Sequence, residues 1–277
     1  MFKVKSISML AIMVALIGTL LVHQGSAHAE PGVAPQVGDC TNSPTIDSWT
    51  LVGSTVDCYD TYTGYTVYVG TWTSATSPSA ANDLTDKQEA KVQKELSRQF
   101  AACGKAAEAY LGSRKGSAVR ASLFVTNGTG PDAEQWAAGE RWFRCEIVAE
   151  QARDSWDKDS DTLIPIPAPD ELKGYLSAPY FDATYDYCIA ENPKTKTYFQ
   201  FKCGTPKVVG YGVAWMTPEG KYPGNTEAAF AKMRKQCLAT MRKMSVNWAT
   251  NRVWVLNYSG KLSTANFAKS RWLCGGS

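Results

Sequence analysis

Eight cysteines constrain this chain more than any other feature, because they fall into two sets of four with similar spacing. The first set is Cys40, Cys58, Cys103 and Cys145, and the second set is Cys188, Cys203, Cys237 and Cys274. In each set a short gap precedes two longer ones. An even number of cysteines without a Cys-x-x-Cys motif favours structural disulfides over a redox centre or a zinc ribbon.

The segments around the two sets also resemble each other in the same order. The second cysteine of each set precedes a glycine-rich aromatic segment, GYTVYVGTW ending at Trp72 and VVGYGVAWM with Trp215 in the matching place. The third cysteine lies late in a helical segment. The fourth follows an aromatic residue two positions earlier, in RWFRC and in RWLC. Repeated correspondences in one order indicate an internal duplication.

We therefore predict an α+β protein made of two similar disulfide-stapled modules, each a small antiparallel sheet packed on one main helix. Module 1 is assigned to residues 37–150 and module 2 to residues 175–277, with an Asp/Pro-rich linker at 151–174. Each module has a small core, so its disulfides are expected to supplement the apolar packing.

Two amphipathic helices are predicted to carry the third cysteine of each set. A capping box at Thr85 and Gln88 opens the first helix, which runs to about Leu111 and ends at Gly112. Asn225 caps the second helix. Apolar residues recur at three- and four-residue steps on one stripe of each helix. The stripes are Val92, Leu96, Phe100, Cys103, Ala107 and Tyr110, and Phe230, Met233, Cys237, Met241 and Met244.

The cysteine pairing follows from placing the last strand of each module over its helix. Phe143, Cys145 and Ile147 share one strand face, and Cys274 shares a face with Trp272, which takes the place of Phe143. Three pairings are open within each module. The helix-to-strand geometry favours the bridges 40–58, 103–145, 188–203 and 237–274. A further strand is predicted at 119–125, where apolar residues alternate.

The first 29 residues have the features of a secretory signal peptide. Two lysines precede an apolar run from Ile7 to Val22, and Ala27-His28-Ala29 is a small-x-small cleavage site. Removing this segment takes away both histidines and two of the 29 basic residues, which leaves 27 against 26 acidic residues and a net charge of +1. We therefore expect a secreted, extracytoplasmic protein that is soluble after cleavage, spans no membrane and does not bind nucleic acid.

A mature chain without histidine excludes Ser-His-Asp and Cys-His catalysis and zinc sites that use imidazole. We predict no metal site and no cofactor. The D-x-D-x-D pattern at 157–161 begins like a calcium loop, but Thr162 and Ala168 stand where that loop needs glycine and a bidentate glutamate. Ser155 opens a Ser-x-x-Lys sequence without the partner motifs of penicillin-binding enzymes.

Two function classes remain open. One is a non-enzymatic binding or structural protein, whose partner would be a cell-envelope protein or a cell-wall polymer. Its candidate surface residues are Trp136, Arg141, Trp142 and Arg271. The other is a secreted hydrolase that acts on cell-wall glycans through two carboxylates. Its candidate acids are Glu134, Glu140, Glu146 and Glu150.

Three short motifs resemble the septum formation domain family of exported actinobacterial proteins: VGDC at 37–40, TVDC at 55–58 and GERWFRCE at 139–146. The resemblance covers most of residues 37–149 and, more faintly, 180–275, so it implies tandem copies. The family's histidine after the second cysteine would fall near Tyr62 and near Lys207, where this chain has none. The resemblance implies an exported cell-envelope protein associated with septation, and it implies no reaction.

Overall fold

The computed structural model describes residues 34–43, 54–77, 84–116, 118–153, 155, 162–177, 184–244, 253–257 and 262–276. The predicted signal peptide and the acidic stretch 157–161 lie outside these described residues.

Thirteen strands and four α-helices occur in the described part of the chain. The strands are β1 Cys40–Asn42, β2 Ser54–Val56, β3 Gly64–Thr71, β4 Arg114–Lys115, β5 Ala118–Arg120, β6 Phe124–Thr129, β7 Trp142–Glu150, β8 Leu163–Ile164, β9 Tyr187–Glu191, β10 Tyr198–Phe201, β11 Gly210–Met216, β12 Val253–Asn257 and β13 Trp272–Gly276. The helices are α1 Asp86–Leu111, α2 Ala133–Ala137, α3 Pro169–Leu172 and α4 Thr226–Lys243.

The strands form two antiparallel sheets with the same internal order. The first sheet runs β2-β1-β3-β7-β6, and β8 adds to β7; the second runs β10-β9-β11-β13-β12, and the β4–β5 hairpin adds to β11. Helix α1 packs on β3, β6 and β7, and α4 packs on β11, β12 and β13. The predicted α+β class, with one main helix on each antiparallel sheet, is confirmed.

All four predicted disulfides are confirmed. Cys40–Cys58 and Cys188–Cys203 each tie the first strand of a sheet to the end of its first hairpin. Cys103–Cys145 ties α1 to β7, and Cys237–Cys274 ties α4 to β13. The Cα atoms of each bridge lie 5.3–5.5 Å apart, within the usual range.

Both sheets contain a register irregularity at the same place. The pairing of β3 with β7 shifts between Thr66 and Tyr68, and that of β11 with β13 shifts between Gly212 and Ala214. In each sheet the shift lies beside the residue that faces the fourth cysteine of the set. The shared strand order, bridges and irregularity are what a duplication would produce, although the duplication itself stays a prediction.

One predicted correspondence between the two halves is wrong. Trp215 lies inside β11 opposite Leu273, whereas Trp72 follows the end of β3. Counted from the fourth cysteines, Val69 holds the position of Trp215. Ladder pairing sets the register of a strand, so two tryptophans in similar glycine-rich segments need not coincide. Phe143 and Trp272, which the sequence places in equivalent positions, lie two residues before the fourth cysteine of each set, and both are fully buried.

The strand predicted at 119–125 is divided between the two sheets. Strand β5 pairs with β11 of the second sheet, and β6 pairs with β7 of the first. Between them, the Ala121 amide donates to Val213 at 2.9 Å and the Leu123 amide donates to Tyr185 at 2.8 Å. Alternation predicts an extended backbone but does not show which strand it pairs with. The sequence prediction therefore merged β5 and β6 into one strand. The crossing segment interlocks the predicted modules.

Helix α1 begins and ends as predicted, but its buried stripe differs from the prediction. The side-chain oxygen of Gln88 accepts from the Thr85 amide at 3.0 Å, and Gly112 closes the helix with a φ of 64°. Glu95 and Gln99 are buried, while Phe100 is 38% exposed. At the C-terminal end of β3, Glu95 accepts from the Thr73 amide and Gln99 donates to the Thr71 carbonyl, which explains their burial.

The predicted linker at 151–174 is packed on the first sheet over its described C-terminal part. Ile166 and Leu172 are buried in the same core as Tyr62 and Leu111. Pro165 and Pro167 lie in an extended segment, and Pro169 opens α3, where its carbonyl accepts from the Lys173 amide. Three phenols donate to the carbonyl oxygens of these prolines: Tyr62 to Pro167, Tyr110 to Pro169 and Tyr185 to Pro165.

Candidate functional site

The face of the first sheet opposite α1 carries a cluster of buried polar side chains. Strand β7 alternates, so Phe143, Cys145 and Ile147 face α1 while Arg144 and Glu146 face the other way. The neighbouring strands place further polar residues on this outer face. We call the set the polar cluster; its members, with their exposed fractions, are Thr41 0%, Thr66 0%, Asn127 9%, Thr129 0%, Arg144 2% and Glu146 1%.

Strand register explains why these six residues meet. Glu146 lies opposite Thr66 on β3 and Asn127 on β6. Arg144 lies opposite Thr129 on β6, and Thr41 on β1 lies opposite Gly64 of β3. Because directly opposite residues of an antiparallel pair lie about 5 Å apart, the cluster spans four adjacent strands.

Glu146 is the centre of the cluster. The Thr41 hydroxyl donates to Glu146 Oε1 at 2.6 Å. Arg144 Nε lies 3.3 Å from the same oxygen, outside hydrogen-bond geometry, so this ion pair leaves the guanidinium donor unused. Gly64 makes the arrangement possible, because a Cβ there would lie 2.5 Å from the Thr41 hydroxyl and 3.4 Å from the Glu146 carboxyl carbon.

Four buried polar atoms of the cluster have no hydrogen-bond partner. They are Arg144 Nε, Arg144 Nη2, Thr66 Oγ1 and Thr129 Oγ1. Most buried polar side-chain atoms in native proteins are paired, and each exception needs an explanation. Nε and Nη2 form one edge of the guanidinium, the edge that recognises two acceptor atoms side by side. The cluster therefore presents unused donors next to a carboxylate.

The polar cluster has no net charge and lacks the ligands of a metal site. The Arg144 guanidinium and the Glu146 carboxylate compensate each other at 3.3 Å. Among the described residues, no group of three or more histidine, cysteine, aspartate or glutamate side chains is placed to hold a metal ion. The chemistry that the cluster supports is hydrogen bonding to an uncharged polar group.

The predicted surface residues Trp136 and Arg141 stack on each other. The guanidinium carbon of Arg141 lies 3.7 Å from the centroid of the Trp136 ring. Arg141 also donates to the main-chain carbonyl oxygens of Trp136, at 2.8 Å, and of Glu140. It thus closes the C-terminal end of the short helix α2, and both side chains remain partly exposed.

Arg271 forms a similar stack in the second half of the chain, but Trp142 does not belong to the surface. The Arg271 guanidinium lies 4.2 Å from the Trp215 centroid. Trp142 is only 7% exposed, and its indole N–H donates to Glu140 Oε2 at 2.6 Å. The expectation that Trp142 is a surface aromatic is therefore wrong, because it lies on the covered outer face of β7, two residues before Arg144.

Sequence reasoning did not single out most of the polar cluster. Only Glu146 was a candidate for chemistry, as one of four acids, and Arg144, Asn127 and the three threonines were missed as members of one site. Alternating polar residues on a strand indicate a solvated face, so the pattern gave no reason to expect burial. A usable signal was the contrast with the second half, where apolar residues occupy the same positions around Cys274.

The sequence model of a family described as Septum formation matches residues 34–275. This single match includes all eight cysteines. A search of the curated proteins and a search of the solved structures gave no match. The description of the family connects it with cell division.

The disulfides bear on the compartment. Four disulfides use every cysteine of the chain, and disulfides persist in oxidising compartments outside the cytoplasm. In the described part of the chain, no helix combines the length and the apolar character that a membrane crossing requires.

Proposed function

This chain belongs to the Septum formation family, and we propose that it is a secreted, non-enzymatic binding or structural protein of the cell envelope that takes part in septum formation. The observation that carries the proposal is the family match, which extends through nearly the whole chain. Nearly all of the described fold therefore lies within the matched region.

The disulfides support the extracytoplasmic part of the proposal. Each sheet is tied to its helix by one bridge and has its first hairpin closed by another. A protein that depends on four such bridges needs an oxidising compartment to fold. Export through the predicted signal peptide at 1–29 would deliver it there.

The placement of the candidate acids supports a binding role over hydrolysis. Glycoside hydrolysis needs two carboxyl groups about 5–10 Å apart across an open site. Glu146 and Glu150 share one face of β7 but are four residues apart, about 13 Å along a strand. Glu146 is buried and accepts from Thr41, and Glu140 accepts from the Trp142 indole. Glu140 and Glu146 are therefore engaged in structural contacts.

The two guanidinium–indole stacks supply surface for binding an envelope partner. The Arg141–Trp136 and Arg271–Trp215 pairs hold flat, partly exposed rings in fixed orientations. Ordered aromatic and arginine side chains are enriched at binding sites because little conformational entropy is lost when they bind. In this proposal, the Trp136 pair contacts a cell-envelope protein or a cell-wall polymer.

The proposal is tested by following the full chain in its native cells. A fusion to a fluorescent protein that matures outside the cytoplasm should concentrate at septa, and deletion of the gene should change septum position or frequency. Uniform labelling of the envelope together with unchanged septation would refute the role in division.

Retention on isolated envelope tests the binding role separately. Purified native chain should be retained, and Trp136→Ala should weaken retention. Tyr59→Ala is the matched control, because Tyr59 is 99% exposed. Equal retention of both variants would remove the Trp136 pair from the proposal, and release of labelled sugar from glycan by the native chain would refute its non-enzymatic character.

A further inference from the structure

We propose that the exposed face of α4 is a docking surface for a linear polymer that carries repeated phosphate groups. We call this surface the basic face; its members are Lys232, Arg234, Lys235, Arg242 and Lys243 of α4, with Lys221 and Lys269 beside the helix. This docking role goes beyond the proposed role in septum formation. Its residues differ from those of the Trp136 surface and of the polar cluster.

The small net charge of the chain conceals two oppositely charged halves. Residues 30–174 contain 13 lysines and arginines against 21 aspartates and glutamates, a difference of −8. Residues 175–277 contain 14 against 5, a difference of +9. The second half therefore has the positive charge that attracts polyanions, although the whole chain is almost neutral.

Helical periodicity places the cations of α4 on the side that faces away from the second sheet. The opposite side is buried on this sheet and consists of Ala229, Met233, Cys237, Thr240 and Met241. At about 100° per residue, Lys235 and Arg242 lie on the line most distant from the buried side, and the other cations flank this line. From Lys232 to Lys243 the helix rises about 16 Å. The cations therefore form an elongated row.

Two neighbouring segments add cations beside the N-terminal half of α4. The ammonium group of Lys232 donates to the Lys221 carbonyl oxygen at 2.8 Å and lies 5.4 Å from the centroid of the Phe267 ring. Lys269 follows Phe267 in the same short 3₁₀ turn. Because Lys221 and Lys269 are both exposed, the row of cations continues onto the segments beside the helix.

The described acids do not neutralise the basic face. Among the residues that the structure describes, no ion pair includes a side chain of α4. The acids on α4 or just before it in the chain are Glu227, in the first helical turn, and Glu219, whose amide donates to Gln236 Oε1 at 3.1 Å. The surface therefore keeps an excess of positive charge.

The scaffold does not require a basic helix at this position. Helix α1 packs on the first sheet in the same way, yet it carries five basic and four acidic residues, whereas α4 carries five basic residues and one acidic residue. The helix dipole favours the cations Arg242 and Lys243 in the last turn, but not Arg234 and Lys235 in the middle. Because excess charge destabilises a compact fold by self-repulsion, the basic face needs an explanation other than stability.

The shape and composition of the basic face favour a polymer of phosphate groups. A row about 16 Å long can contact several charges of one extended chain at the same time, which strengthens binding beyond that of a single small anion. Phosphate oxygens accept from the planar guanidinium of arginine and from the ammonium group of lysine, and the basic face contains both.

The other side chains of α4 do not fit two alternative anionic partners. Helices that lie on membranes insert apolar side chains into the lipid, but the apolar stripe of α4 is buried on the second sheet. Proteins that bind single-stranded nucleic acid stack bases on exposed aromatic rings. The exposed positions four residues before Lys235 and three before Arg242 hold Ala231 and Ala239, and the aromatic residue of α4, Phe230, packs edge-on against Trp272.

The test measures binding of the full disulfide-bonded chain to end-labelled long-chain polyphosphate by fluorescence anisotropy, at about 0.1 M salt. Arg234→Gln, Lys235→Gln and Arg242→Gln together remove three exposed cations and should weaken binding about tenfold or more. Because each charged contact releases bound counterions, the affinity should fall as the salt concentration rises, and less steeply for the triple variant. Circular dichroism checks that the variant keeps its helix content.

Lys87→Gln, Lys91→Gln and Lys94→Gln together are the matched control, because they remove the same charge from exposed positions of α1. They should weaken binding by less than about threefold, since charges that do not touch the polymer are screened at this salt concentration. Equal losses in the two triple variants would show that net charge alone attracts the polymer, and they would overturn the proposal.

Four further results would overturn the proposal. They are no binding of polyphosphate, tighter binding of poly-glutamate or single-stranded DNA than of polyphosphate, tighter binding of phosphatidylglycerol vesicles, and self-association at low salt that the α4 variant abolishes, which would make the acidic half of a second copy the partner. A chain that reaches the septum but binds no polyphosphate would refute this docking role and leave the proposed function standing. Polyphosphate binding by a chain that labels the envelope uniformly would have the opposite meaning.

Discussion

The outer faces of the two sheets use the same scaffold for opposite chemistry. Both have the same strand order, the same irregularity beside the fourth cysteine and the same helix-to-strand disulfide. Yet one face is polar and buried, and the other is apolar. At matching register the residues are Thr41 and Ile189, Thr66 and Gly212, Asn127 and Trp254, Thr129 and Leu256, Arg144 and Leu273, and Glu146 and Gly275.

The second sheet fills its outer face with a single large ring. The Trp254 indole lies over Gly210 and Gly275, so closely that a Cβ on either glycine would meet its ring atoms. In the first sheet the space above Gly64 instead receives the Thr41 hydroxyl and the Glu146 carboxylate. The comparison shows that apolar packing alone can cover the outer face of such a sheet. The buried polar residues of the first sheet therefore need a separate explanation.

The same contrast recurs on the helix side. Eight and four residues before its disulfide cysteine, α1 buries Glu95 and Gln99, whereas α4 buries Ala229 and Met233. The first half of the molecule therefore stabilises its sheet with hydrogen bonds at positions where the second half uses apolar contacts.

Removing one member of the charged pair is the largest change that the comparison predicts. Arg144→Ala leaves Glu146 buried without its cation, which should lower the free energy of unfolding by about 3–5 kcal/mol. Denaturant titration with the disulfides intact measures this loss.

Replacing both charges by the apolar pattern of the second sheet is the control. Arg144→Leu with Glu146→Ala should have a free energy of unfolding about 2 kcal/mol or more higher than that of Arg144→Ala, because no uncompensated charge remains. If the double variant is less stable than the single one, the charged pair is itself a main source of stability. The argument that the scaffold does not need it would then fail.

The helix-to-strand disulfides should contribute alike in both halves. Cys103→Ala with Cys145→Ala, and Cys237→Ala with Cys274→Ala, open loops of 42 and 37 residues. Because the loops are so similar in length, each variant should lose about 2–4 kcal/mol of the free energy of unfolding, and the two losses should agree within about 0.5 kcal/mol. Calorimetry of the two variants measures the difference. Unequal losses would indicate that one half depends more on its bridge than the shared architecture implies.

Most of the framework could be predicted from the sequence, because local signals specified it. Cysteine spacing with strand alternation predicted the bridge Cys103–Cys145, and the capping box at Thr85 with the glycine at Gly112 predicted the ends of α1. These features depend on residues close in the chain or joined covalently.

The parts that the sequence did not predict depend on distant partners. The alternating segment 119–125 gave no indication that β5 and β6 join different sheets. The proline-rich stretch from Pro165 to Pro169 was taken for a linker because its carbonyl partners, such as Tyr62, lie far away in sequence. The burial of Arg144 was not predicted, because alternation does not show whether a strand face is covered.

Adding one methyl group to a glycine should destabilise the second sheet more than the first. A Cβ at Gly275 would overlap the Trp254 ring and the carbonyl oxygen of Tyr211, which the backbone holds in place. Gly275→Ala should therefore lower the free energy of unfolding by about 1–3 kcal/mol. Gly64→Ala meets mainly the Thr41 hydroxyl, 2.5 Å away, which can rotate away from Glu146 at a loss of about 1 kcal/mol. Denaturant midpoints of the two variants test this order, which equal losses would contradict.

The smallest predicted difference is a dependence on pH that only the first half should show. The hydrogen bond from the Arg98 guanidinium lowers the pKa of the Glu95 carboxyl from 4.5 to about 2. Because the folded pKa lies below the unfolded one, the stabilisation is complete above pH 4.5 and is lost as the pH falls towards 2. Arg98 is half exposed, so we expect a loss of only about 1–2 kcal/mol.

Hydrogen exchange of the full chain between pH 5 and pH 2.5, corrected for intrinsic rates, should show protection falling in β3 and the N-terminal half of α1. The matching part of α4 has Ala229 in the place of Glu95 and should keep its protection in this range. Glu95→Gln removes the titrating carboxyl and should abolish the difference between the halves. A first half that loses protection equally in this variant would show that another group causes the pH dependence.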